Sequence, residues 1–417
     1  MQTLPVSGAG GADYPRRFMA GESRNRKIGR PLQRSTGITE PDPHLLDRIG
    51  RALMKRDEPG AALVAAIRRG TSDPTRVTMR QFNTALESGV DAVPDCPDEL
   101  RRFFDVLEDT PDWVDFELIN AGARAYRSYG PNVRDVMADL SLIGGYRFGG
   151  PPDLLVKTGL LAGAGALRRM GETVHWSTAI SENDGLRRYG EGFKLTVHVR
   201  LMHAVVNHNY EIDGRWDTDQ WGLPINQADQ GWTLGLFSSV LLRGLRRLGV
   251  RVTSAESRAV MHLWKYVGWL MGVGDDFLRD SESDQDRLQY HFLLSQGPLT
   301  SAGPHLANAI VDAERGLHFP SLPRLRRAYA HFRRLSMLRF FLGRESMREL
   351  ELPPTPPVAA IPVIAANLFR YQILTRTTAG VGLVQRWGER SRSRVLDKQF
   401  GSSSRELAPL PASPQAS

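Results

Sequence analysis

Apolar residues recur along most of this chain at the three- and four-residue steps of an amphipathic helix. Leu45, Leu46, Ile49 and Leu53 form one such set, and Leu100, Phe103, Phe104, Val106 and Leu107 form another. A helix is predicted from Phe116 to Tyr126 behind Asp115, a residue suited to an N-cap, and one from Asp135 to Leu142 that stops at Gly144-Gly145. Longer helices are predicted over Asp153 to Arg169, Ser181 to about Asn209, Gly231 to Leu248 and Ser254 to Met271. The last two are separated by the stop signal at Gly249 and the cap signal at Thr253. Further helices are expected around 283–296, 303–316, 323–341 and 358–389. Alternation at period two is nearly absent, and Arg251-Val-Thr is too short to make a strand. The fold class that follows is all-α, a single-domain globin-like or orthogonal helical bundle.

The two ends break the pattern. Residues 1–40 are rich in Gly, Pro, Arg and Ser, and the expectation is a loosely ordered arm. Residues 396–417 carry a Ser run and a Pro/Ala/Ser tail and are expected to be disordered, which leaves 41–395 as the helical domain. Leu352-Pro-Pro-Thr-Pro-Pro reads as a linker to a final helical segment.

Composition narrows the function classes. Lys and Arg number 54 against 46 Asp and Glu, a net charge of +8. The excess is almost all arginine, the lysines being only Lys27, Lys55, Lys157, Lys194, Lys265 and Lys398. The arginines are spread along amphipathic segments, which fits a solvated surface and no nucleic-acid partner, and leaves peripheral association with an anionic membrane open. The single cysteine, Cys96, excludes an internal disulfide or a cysteine-built metal site, and its Pro-flanked loop suits an inert thiol. The N-terminal residues show neither a basic nor an apolar leader region, so a cytoplasmic protein is expected. No uninterrupted apolar stretch is expected to be long enough to span a bilayer; the closest, Pro357 to Phe369, is short and broken by Pro362.

Candidate chemistry lies in two helical segments. On the predicted 181–209 helix, His198 and His203 stand five residues apart and point roughly 140° away from each other. They cannot both reach one ligand, and their flanking residues are apolar in both cases, so periodicity does not choose between them. On the preceding helix Arg169, Glu172, Thr173 and Trp176 share one face. A buried arginine there needs an acceptor: a carboxylate such as Asp184 or Glu191, or an anionic ligand. Glu172-Thr-Val-His175 has the spacing of a carboxylate di-iron ligand pair, but no second copy occurs. Asp217, Asp219 and Asp229 cluster in a Trp- and Gly-rich loop and suit caps and turns better than a cation. His262 suits a structural partner within the bundle.

Arg169, Thr173 four residues on, and His203 thirty residues after that resemble the motif of the latex-clearing (rubber) oxygenases and the oxygenases of the mycophenolic-acid pathway. Two further blocks, Trp221 to Ser238 and His262 to Val273, resemble the same family, so the likeness covers roughly residues 100–290. The resemblance implies haem b, with His203 as the axial ligand of the iron, Arg169 as partner of a propionate and Thr173 as a hydroxyl donor beside it. It implies an oxidoreductase, an O2-dependent oxygenase acting on a double bond of a small lipophilic substrate. The rubber-cleaving members carry a lysine just before the motif threonine, where this chain has Glu172. They also carry a glutamate base some sixteen residues before the motif arginine, where this chain has Asp153. Asp153 and Glu172 are therefore the acid/base candidates. A cytoplasmic member would not meet extracellular rubber, so a prenyl or terpenoid-like alkene is the expected substrate class. A haem-binding protein without oxygenase activity and a carboxylate di-iron enzyme are the alternatives.

Overall fold

The computed structural model describes residues 14–159 and 165–400, and for 165–170 and 392–400 the backbone alone. Among the described residues the elements are helices, turns and loops, with no strand. The all-α class is as expected from the pattern.

Local chemistry explains where several helices begin. Asp115 caps Phe116–Ser128 by accepting the Glu117 and Leu118 amides. Thr253 and Glu256 form a reciprocal capping box at the start of Ser254–Leu270. These two helices make the centre of the bundle, and Gly122 permits their closeness. A Cβ at Gly122 would stand 2.3 Å from the Ala259 carbonyl oxygen. Trp264, Tyr266, Val267 and Leu270 fill the core around them.

Four boundaries differ from the pattern. The long 153–169 helix is interrupted: Pro151–Lys157 ends in a turn at Thr158 and Gly159, the latter at φ +66°, and a new helix runs Gly165–Ala179. Residues 160–164 lie outside the described part. The 181–209 helix starts later, as Glu191–Asp213, because 181–190 folds into turns with Asp184 and Tyr189 at positive φ. The Gly231–Leu248 helix starts earlier and splits at Ser238 into Gln227–Phe237 and Ser239–Arg247.

The largest difference is at the N-terminus. The expected loose arm is structured from residue 14 onward, and Glu22–Thr36 is a helix packed on Glu282–Ser295. Gly29 lets it approach Tyr290 and Leu293. Arg17 is 1% exposed and meets Asp229 at 2.5 Å, a buried pair that ties the arm to the middle of the chain. Residues 1–13 lie outside the described part. At the other end the last helix runs Thr378–Phe400, past the expected boundary at 395, and residues 401–417 lie outside the described part.

The arginines also do more than solvate a surface. Arg200 forms a forked pair with Asp57 at 2.6 and 2.7 Å, and Arg334 bridges Asp139 and Glu314 inside the protein.

Two buried histidines hold helix starts as acceptors. His262 Nε2 accepts the Asp115 amide at 3.0 Å, and His291 Nε2 accepts the Asp42 amide at 2.8 Å. Asp42 is in turn the N-cap of Pro43–Ala52. Burial lowers both imidazoles below the ordinary value of 6.5. The unfolded chain therefore binds more protons than the fold as pH falls. The stability these histidines contribute is complete above about 6.5 and is lost below it. The melting midpoint of the unaltered protein should exceed that of a His262→Gln, His291→Gln variant by a constant margin above neutrality, and the margin should shrink from about pH 6.5 downward. A margin that widens on acidification would contradict this.

Candidate active site

The helices Gly165–Ala179 and Glu191–Asp213 form an antiparallel pair joined by residues 180–190. Trp176 Nε1 donates to Thr196 Oγ1 at 3.0 Å, and His175 faces Glu191 at 3.3 Å. The first bond fixes the register. Seven residues back from Trp176 is Arg169, and seven residues on from Thr196 is His203. Seven residues make almost two full turns, about 10 Å of rise and about 20° of rotation. The backbone therefore sets positions 169 and 203 at one level, on the faces that carry Trp176 and Thr196.

A third helix shares that level. Asn207 and Ile225 exchange two hydrogen bonds, 2.8 and 2.7 Å, which dock the entrance to Gln227–Phe237 beside the far end of the His203 stripe. At its other end Phe237 meets Trp176, ring centroids 6.0 Å apart. Counting inward from both contacts leads to Gln230 opposite His203. Gln227–Phe237 is buried at every position up to Gly235 except Thr233, which is exposed, and Leu236 and Phe237 are half-buried. Residues 230, 233 and 237 lie on one stripe, of which Thr233 is the exposed point. Gln230 Oε1 is buried on this stripe with no hydrogen-bond partner among the described residues. Trp176 and Phe237 pack over Trp264 at one end of the stripe. At the other end Leu154, Tyr210 and Trp216 pack together, with Val206 and Ile225 against them.

The contacts choose between the two histidines. His203 lies about 20° from the Thr196 direction, whereas His198 lies about 200° away, on the opposite side of the helix. His198 is half-buried, and burial lowers its imidazole below the usual histidine range. Arg200, three residues before His203 and about 60° from its direction, is held by Asp57 and lies over the Phe103 ring, so the His203 helix is clamped along its flank.

The other candidates are distributed along the two helices and their flanks. Glu172 is buried on the Trp176 face, 3% exposed, while Thr173 at the edge of the same face is exposed. Arg169 belongs to a described stretch of helix, but its side chain lies outside the described part. The two carboxylates considered as its partners are engaged elsewhere, Asp184 with Asn120 and Arg187, Glu191 with His175. Asp153 sits next to Leu154 and acts as a cap: its Oδ2 accepts the Gly150 amide at 2.8 Å and the Thr300 hydroxyl at 3.0 Å.

The weaker constellations resolve into structural contacts. Asp217 caps Thr218–Trp221, and Asp229 pairs with Arg17. Among the described residues no three His, Cys, Asp or Glu side chains gather as a metal site, so the Glu172/His175 pair finds no companions there. Cys96 is partly buried, and burial raises its thiol above the ordinary value. Gln230 is the residue that sequence reasoning missed. Nothing in its spacing marks it, because its place depends on two interhelical contacts.

An all-α bundle in which three helices are held in register, with one histidine and one arginine position at the same level, makes this seam the candidate site. Comparison with known proteins gives the family. The model of the ER-bound oxygenase mpaB/B'/rubber oxygenase catalytic domain matches residues 134–372, more than half of the chain, and the protein belongs to this family. The match begins later and ends further on than the motif blocks alone suggested. The rubber oxygenase of Streptomyces sp. (strain K30) is 25% identical over 227 residues, which span 53% of this chain and 54% of that protein. The chain thus matches about half the length of this curated relative. The solved structure of the latex clearing protein LCP in the closed state superposes with a TM-score of 0.57 at 18% identity, over 82% of this chain and 91% of that one. It shares the fold.

Proposed function

We propose that this protein is a haem b-dependent oxygenase that uses O2 on a carbon–carbon double bond of a small lipophilic substrate, of prenyl or terpenoid type. The observation that supports the reading is the register of three helices, fixed by the Trp176–Thr196 bond, the Asn207–Ile225 pair and the Trp176–Phe237 contact, from which helical steps bring positions 169, 203 and 230 toward one level beside the exposed Thr233. The donor set fits the group. His203 offers one imidazole to the iron from a helix clamped by Arg200. Arg169 supplies a cation for a propionate, and the exposed Thr173 a hydroxyl at the edge. Trp176, Phe237 and Val206 give the seam apolar surface. Gln230 presents a buried amide oxygen that still requires a donor. Haem b, when bound, supplies the redox-active iron that activates O2.

The residues of this chain supply the rest. The aromatic and aliphatic walls take up an apolar substrate and exclude water. Glu172, buried on the Trp176 face within one helical turn of the Arg169 position, is the acid/base candidate nearer the histidine level, and Asp153 serves as the cap of Pro151–Lys157. The test uses haem-loaded protein with a set of prenyl and terpenoid alkenes, following O2 uptake and alkene loss together. Arg169→Ala and Thr173→Ala should lower haem content or turnover, and Glu172→Gln should lower turnover by about 10²-fold at unchanged haem content. Asp153→Asn should leave turnover within about twofold and cost about 1 kcal/mol of stability through the weakened cap. Haem bound without consumption of O2 or of any alkene would favour a haem-binding protein that lacks oxygenase activity.

A further inference from the structure

The apolar stretch that begins at Pro357 extends further in the structure than its sequence pattern, broken by Pro362, suggests. Pro357–Arg376 is a continuous helical run of 20 residues with mean hydropathy 1.4, long and apolar enough to cross one by length and composition. Pro362 does not break it, because it stands in the first turn of Ala360–Leu368, where a missing amide leaves no helical bond unmade. One face of this run is bound to the protein. Asn367 exchanges hydrogen bonds with Asn132 and donates to the Leu248 carbonyl, and the Tyr371 hydroxyl donates to the Ser128 carbonyl. The opposite face is apolar as well and points outward. Val358, Ile361, Leu368, Phe369 and Ile373 follow one another at helical steps and are 44–65% exposed.

A second outward stripe starts from the same place. Ser336 donates to the Pro356 carbonyl at 2.7 Å and accepts the Ala359 amide at 2.9 Å, which clamps the start of this run to the helix Pro323–Glu349. One turn before that clamp, Leu325, Tyr329 and Phe332 form an exposed apolar stripe on Pro323–Glu349. Charge sets the partner. No Asp or Glu occurs between Glu314 and Glu345, or between Glu351 and Glu389, whereas Arg324, Arg326, Arg376 and Arg386 are exposed in these segments. Two apolar stripes framed by arginine and free of acidic residues match a surface that is apolar within and anionic at its rim.

We propose that the protein docks on an anionic lipid surface through these two stripes, with Pro357–Arg376 lying in the plane of the headgroups. The buried hydrogen bonds of Asn367 and Tyr371 keep the run on the protein, so it rests on the membrane and does not cross it. The inference does not depend on the haem reading.

The experiment is flotation of the full chain with phosphatidylcholine vesicles containing about one third phosphatidylglycerol, set against pure phosphatidylcholine. The protein should float with the anionic vesicles and about tenfold less with neutral ones, and high salt should release it in part. Ile361→Glu with Phe369→Glu should reduce flotation about tenfold while the far-UV dichroism stays unchanged. Hydrogen exchange in 357–376 should slow when anionic vesicles are added to the unaltered protein, a readout that needs no variant. Absence of flotation, or equal flotation of the double variant, overturns the proposal. A lipid-free dimer that the double variant converts to monomer, without vesicle binding, assigns the face to a second copy and overturns it too.

Discussion

Protein carrying His203→Ala is expected to emerge from haem-supplemented expression without a Soret band, its haem content reduced at least about tenfold, while its helical signal is retained. A b-type haem has no covalent link to the chain, so on the proposed reading the His203 imidazole and the apolar side chains around it would together hold the group. Removing the imidazole leaves walls that still accept an apolar disc but no longer fix the iron. The informative control is His198→Ala. His198 sits on the same helix, is half-buried, and differs from His203 chiefly in direction. The Trp176–Thr196 bond points the 196–203 stripe at the neighbouring helix, and His198 points away from it. His198→Ala should therefore keep its Soret band. Loss in His198→Ala with retention in His203→Ala would move the ligand to the other face and discard the shared level of Arg169, His203 and Gln230. A colourless, iron-free protein in every case would discard haem altogether. Gln230→Leu offers a finer check, since removal of a buried amide at that level should shift the Soret position without emptying the site.

The bundle was legible in the sequence because its helices carry local signals. The 3.6 period, the Asp115 cap, and the Thr253/Glu256 box act within a few residues, and each stands where the pattern placed it. What was not legible depends on residues far apart in the chain. The N-terminal arm looks polar and unpatterned, yet Arg17 finds Asp229 and Gly29 fits beneath Tyr290. Neither contact has a trace in local composition. The helix containing His203 starts ten residues later than its apolar pattern, because turns at 181–190 let Phe193 bond back to Gly185. The site divides in the same way. The Arg169–Thr173–His203 spacing can be read directly, and the register of two helices gives it a spatial meaning. Gln230 enters only through the contacts at Ile225 and Phe237, and the capping role of Asp153 only through Gly150 and Thr300.

Replacing Arg334 with methionine is expected to lower folding stability by about 3–5 kcal/mol, measured by chemical denaturation. Arg334 is 3% exposed; it donates to Asp139 at 2.6 Å and to Glu314 at 2.5 and 3.0 Å. Beside it Arg333 pairs with Asp135. This network fastens Pro323–Glu349 to the π-helical turns Val136–Leu142, which carry Asp139. Asp139 is fully buried, and its Oδ2 has no hydrogen-bond partner among the described residues. Burial pushes this carboxyl up to about 6 even against the pull of Arg334. Without the guanidinium the carboxyl must rise further, and Glu314 loses the charge that holds it below its ordinary value. A carboxyl raised above its unfolded value of 3.8 gives stability that is complete below that value and is lost as pH rises through the folded one. The deficit of Arg334→Met relative to the unaltered protein should therefore be larger at about pH 8 than at about pH 5. Adding Asp139→Leu and Glu314→Met should recover most of the loss, because a buried ionic cluster replaced as a whole by apolar groups leaves no charge without a partner. A triple variant as unstable as the single one would mean that these charges fix the packing of the two helices and do more than neutralise one another.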